Sequence, residues 1–159
     1  MGAKAEALAK QFETKAQEAN ALLERISDAD WKKVTAAEKW TVGVTAHHVA
    51  GAHEPIANIV KTVSAGQSLP NFTMAMLDES NAKHAREFAN CTKAETIALH
   101  KKGVAAAAAV VRGLSDEQLS KSGTVLAGAP AMSAEQVITN ILINHIDDHF
   151  GSIRKTVGS

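Results

Sequence analysis

Apolar residues recur at intervals of three and four along most of this chain, and that spacing limits its fold more than any single motif does. Leu8, Phe12, Ala16, Ala19, Leu23 and Ile26 share one side of a helix predicted over 3–27, with Lys4, Lys10, Glu13, Glu18 and Glu24 on the other. Thr45, His48, Ala52, Ile56, Ile59 and Val63 predict a second helix from Thr41 to Val63. Pro55 lies inside it, removing one backbone donor and bending the helix rather than stopping it. A third helix opens at Thr92 with Glu95 as a capping box, carries Ile97, Val104, Ala108 and Val111, and closes at Gly113. Ser133 and Gln136 cap a fourth, whose stripe is Val137, Ile138, Ile141, Leu142, His145, His149, Ser152 and Ile153.

Strands are poorly served by the same residues: aromatics are 4% of the chain, tyrosine is absent, and Ala105 to Ala109 form an unbroken run of the best helix former. The expectation is an all-α chain, a four-helix bundle in a single domain over 1–159, with an additional short helical segment between Phe72 and Cys91. Short turns of helix are expected after Thr35, where Thr35 and Glu38 have the form of a capping box, and after Ser115. Residues 65–71 read as a linker and 121–131 as the longest irregular segment.

Seventeen basic residues balance seventeen acidic ones, so no net positive field draws the chain to nucleic acid or to an anionic membrane. The first residues, MGAKAEALAK, lack the apolar core of a secretory signal, and no run of 18 apolar residues occurs. The lone Cys91 excludes an intrachain disulfide, and a cytoplasmic protein acting on a small molecule is the expectation. The alanine run suits either internal close packing or a two-fold homodimer.

The histidines carry the chemistry. His145 and His149, four apart, stack on one helical face, and His48 lies early in the apolar stripe of the second helix, where one end of the bundle can collect all three. Three imidazoles leave a coordination position for water or substrate and suit zinc, nickel or iron; the competing reading is three buried or half-buried histidines held by Ser, Thr or backbone partners. His47 points about 100° away from His48 and His53 about 140° away, so neither shares its direction, and His53 reaches the site only if Pro55 bends the helix. His84 and His100, beside Lys83, Arg86, Lys101 and Lys102, are expected at the surface. Asp147 and Asp148 either orient a ligating ring or face solvent. No inward Glu or Asp marks a general base. Cys91, near a helix N-terminus, is either a favoured thiolate or an ordinary cysteine.

Two stretches resemble the DinB-like superfamily, also called DinB/YfiT-like metalloenzymes. One is Trp40-Thr-Val-Gly-Val-Thr-Ala-His-His48, and the other is Asn144-His145-Ile-Asp-Asp-His149-Phe-Gly-Ser-Ile-Arg154. The resemblance implies a four-helix bundle of unusual connectivity and a divalent metal held by His48, His145 and His149. It also implies kinship with transferases and isomerases that use a low-molecular-weight thiol such as mycothiol, bacillithiol or glutathione. Some branches carry a carboxylate where this chain has His145. The expected function is a metal-dependent S-transferase or isomerase acting on a small electrophile. The alternatives are a metal-dependent hydrolase and a metal-binding structural or stress-associated module without turnover.

Overall fold

The computed structural model describes residues 2–69 and 71–158. Most helices begin where a hydroxyl takes up an otherwise free backbone N–H. Thr41 accepts from Val44 at the start of α3 (Val42–Ser64), and Thr73 accepts from Met76 at the start of α4 (Met74–Glu87). Thr92 and Glu95 form a reciprocal capping box at α5 (Lys93–Arg112), as Ser115 and Gln118 do at α6 (Asp116–Ser120). α1 (Ala3–Arg25) and the short α2 (Asp28–Trp31) precede them. The chain ends in α7 (Ala134–Val137), a π-helical segment Ile138–Ile143, and α8 (Asn144–Val157).

The long helices α1, α3, α5 and the α7–π–α8 run form the expected predominantly helical bundle, with α5 packed on both α1 and α3, and α3 also against α4 and α8. Phe12 and Phe150 are the large aromatics of a core otherwise built from Ala, Leu, Ile and Val. Small side chains let the helices approach closely: a Cβ on Gly103 of α5 would lie 3.1 Å from the carbonyl oxygen of Ala50 and 3.2 Å from Cβ of His53 on α3. Ala107 and Ala108 are buried within the chain, whereas Ala105 and Ala109 are exposed. Arg112 clamps α5 to α1 through Glu6 at 2.7 Å and Glu13 at 2.8 Å. No helix among the described residues is long and apolar enough to cross a membrane.

Three local expectations change. Thr35 to Glu38 does not open a helix. Val34 bridges Thr41, the Thr35 amide donates to Trp40 oxygen at 2.8 Å, and Lys39 takes a left-handed φ of 61°, so the segment is a tight turn that swings Glu38 inward. Within 121–131 and its flank, Ser122–Gly123 (β1) pairs antiparallel with Met132–Ser133 (β2), tying the irregular segment shut. A Cβ at Gly123 would fall on the carbonyl oxygen of Gln67, so only glycine fits there.

The last helix is not one continuous α-helix. In the π-helical stretch each turn takes in an extra residue, which rotates everything after it relative to an α-helical count. The buried face therefore passes from Ile138 and Leu142 to Ile143, Ile146, Phe150 and Ile153. His145, His149 and Ser152, read from periodicity as part of the core stripe, lie half-buried on its flank.

Candidate metal centre

α3 enters the site early because its first turn is held tightly. A Cβ at Gly43 would lie 2.5 Å from the Trp31 indole nitrogen, which instead packs against the bare glycine and donates to the Cys91 carbonyl at 3.0 Å. Two turns into the helix, His48 Nε2 lies 3.0 Å from Nε2 of His145. One ring nitrogen from each of His48, His145 and His149 falls within 4.8 Å of the others. The three rings are mutually tilted, with centroids 4.6 to 5.0 Å apart.

Glu38 completes the arrangement. Its Oε2 lies 2.7 Å from His149 Nδ1, and its Oε1 accepts from Ser152 at 2.6 Å. Burial opposes its ionisation most strongly, yet hydrogen bonds from Ser152, Thr35 and His149 together outweigh that and hold the carboxyl below the usual range. An ionised carboxylate only accepts, so His149 carries a hydrogen on Nδ1 and turns Nε2 toward the cluster. Burial, reinforced by the neighbouring histidines, pushes both His48 and His145 down to about 3. Three imidazoles converging on one place, one of them oriented by a carboxylate, are a donor set suited to a divalent cation, and the residues fit such an ion.

The wall around the triad is aromatic. Trp40 meets His48 edge-on at 5.2 Å, and His84 of α4 lies 5.7 Å from the same ring. His47 Nδ1 is 2.8 Å from His84 Nε2, and Phe88 stacks on His47 at 4.1 Å. His84 is thus not a free surface residue: it is half-buried, and burial lowers its pKa.

His100 is the larger correction. It is 1% exposed, with Nε2 2.9 Å from the Ala16 carbonyl and Nδ1 3.1 Å from Nε2 of the fully buried His53. The inward face of α5 runs through Thr96, His100, Gly103, Ala107, Ala108 and Val111; Ala108 and Val111 carry the expected stripe, while Thr96, His100 and Gly103 extend it with residues that are not apolar. Asp147 pairs with Lys15 at 3.2 Å and Asp148 is exposed, so neither orients a ring; Glu38 takes that part. Glu38 also supplies the inward acid that the sequence reading lacked, and its position in a turn hid it from helical periodicity. Cys91 precedes the α5 cap and is buried, which pushes its thiol up rather than favouring thiolate.

The family model described as the mycothiol maleylpyruvate isomerase N-terminal domain matches residues 12–143, a range that includes Glu38 and His48 and ends just before His145. Among solved structures, the mycothiol-dependent maleylpyruvate isomerase superposes with a TM-score of 0.73 at 16% identity, covering 99% of this chain and 69% of that one. A histidine-to-alanine mutant of the mycothiol-dependent maleylpyruvate isomerase gives 0.72 and 15% over the same shares. At these identities the likeness shows a shared helical fold. No curated protein matches the sequence.

Proposed function

Because the chain belongs to the mycothiol maleylpyruvate isomerase N-terminal domain family, we propose that it is a thiol-dependent isomerase of small electrophiles with a metal centre at His48, His145 and His149. The observation that carries this reading is the convergence of three imidazole nitrogens within 4.8 Å, one ring being fixed by Glu38. A divalent cation bound there, zinc, nickel or iron, supplies the positive charge that favours the deprotonated form of a thiol in front of it.

The chain's own residues do the rest. Glu38 holds the hydrogen of His149 at Nδ1, and Ser152 holds Glu38. With both oxygens engaged, Glu38 is a positioning group and not a free base for activating water, which favours thiol chemistry over hydrolysis. Trp40 and His84 line one side of the His48 ring, with Phe88 packed on His84 behind it. In isomerisation the thiolate adds to the electrophile, rotation follows about the bond so weakened, and the thiolate leaves again with no net consumption. In S-transfer it stays on the product.

The test is turnover by metal-loaded protein given mycothiol and maleylpyruvate, followed by absorbance and by free-thiol titration. Isomerisation that needs the thiol, with no thiol consumed, and that is lost in His48→Ala supports the reading. Stoichiometric thiol loss indicates a transferase. Metal retention without either reaction indicates a module without turnover.

A further inference from the structure

The buried His53–His100 pair is outside the triad, and its hydrogen bonds fix where every hydrogen sits. The Ala16 carbonyl can only accept, so the hydrogen of His100 is on Nε2, 2.9 Å from that oxygen. Burial keeps His100 neutral, which leaves its Nδ1 a bare lone pair. His53 must then donate to it from Nε2 across 3.1 Å. His53, itself neutral and fully buried, is left with a lone pair on Nδ1 that has no partner among the described residues.

His145 presents the complement. Its Nε2 faces His48 in the cluster, so when that lone pair is used on a cation the hydrogen must be on Nδ1. That Nδ1 is also buried and without a partner among the described residues. One buried donor and one buried acceptor therefore stand unpaired on α8 and α3, two helices packed on each other. Two unpaired polar atoms of opposite kind in a dry interior are what a single buried water satisfies.

We propose that His53 is a positioning residue for His145: its Nδ1 accepts, across one buried water, the Nδ1 hydrogen of His145 and so holds the His145 Nε2 lone pair toward the other two histidines. The inference rests on the metal-centre reading. Glu38 then orients His149 from the surface side, and the chain Ala16–His100–His53 orients His145 from the core, anchoring the centre to α1 and α5 as well as to α3 and α8. Gly103 is part of the device, because its missing side chain lets α5 bring His100 against His53.

The experiment combines zinc titration calorimetry with long-range proton–nitrogen NMR on the zinc-loaded protein. The expected spectrum has the His145 hydrogen on Nδ1 and the His53 hydrogen on Nε2, with the His145 hydrogen protected from exchange. His53→Phe keeps the ring volume but removes the acceptor. It is expected to weaken zinc binding about 10- to 100-fold and to expose the His145 hydrogen, while His53→Gln, whose amide oxygen can accept, recovers part of the loss. A His53 hydrogen on Nδ1, or a His53→Phe protein that melts lower yet binds zinc as tightly as the parent, overturns the inference and leaves the metal centre standing. A parent protein whose zinc binding is absent, or survives His48→Ala unchanged, overturns both.

Discussion

His48 and His53 stand on the same helix, and burial is the largest cause that pushes each to about 3. Their surroundings differ in one respect that matters. At His53 the one ring hydrogen bond is directional: Nε2 meets a single acceptor, and that acceptor's ring is itself tied to a backbone carbonyl. Around His48, nitrogens of two other rings converge on the same point, and Glu38 turns His149 Nε2 toward it. A depressed pKa therefore does not distinguish a ligand from a core histidine; the number of lone pairs aimed at one place does.

Acid should break the comparison most severely. With folded pKa values near 3 and an unfolded value of about 6.5, the neutral forms of His48, His53 and His145 contribute stability that is complete above pH about 6.5. That stability is lost progressively as pH falls toward 3, because the unfolded chain takes up protons first. Each such histidine adds a slope of up to about 1.4 kcal/mol per pH unit. Urea unfolding of metal-free protein at several pH values checks this, and His53→Phe should flatten the slope by one histidine's share. An unchanged slope would contradict the burial assigned to His53.

His145→Ala separates the two groups next. With zinc at about 100 times its dissociation constant, the parent should gain about 2.7 kcal/mol in thermal unfolding and the variant nothing measurable. Glu38→Gln keeps an acceptor for Ser152 but no longer fixes the His149 tautomer by charge. Zinc affinity should fall about 10-fold or more, read by competition with a chelator. Gly103→Ala presses a methyl onto the Ala50 carbonyl and His53 and should cost about 1 to 2 kcal/mol in urea, despite the better helix propensity of alanine. Asp147→Asn, which removes only a half-exposed pair with Lys15, should change stability by less than about 0.5 kcal/mol and leave zinc affinity unaltered.

The helices were legible because their caps and apolar spacing are local: Thr92 with Glu95 and Ser133 with Gln136 cap as the sequence reads, and helices begin as expected at Thr41 and Ser115. The convergence of His48, His145 and His149 was legible from spacing and topology, though the place of His145 and His149 on the flank of the core stripe was not, because the π-helical turn rotates α8 by an amount no α-helical count contains. Glu38 was hidden for a different reason. The same Thr35-to-Glu38 spacing suits a capping box or a turn, and the bridge between Val34 and Thr41, a contact between two segments, decides which forms. His100 was masked by the lysines after it: Lys101 and Lys102 are exposed, but one helical position separates a solvent face from a core face.

X-ray absorption at the zinc edge tests the central claim most directly. Zinc-loaded protein should show three imidazole nitrogens at about 2.0 to 2.1 Å and one further light atom, with sulfur replacing that atom when a low-molecular-weight thiol is added. His48→Ala should lose that signature, while His84→Ala should keep it. Fewer than three imidazoles in the parent, or a spectrum unaltered by His48→Ala, would contradict a metal centre at His48, His145 and His149.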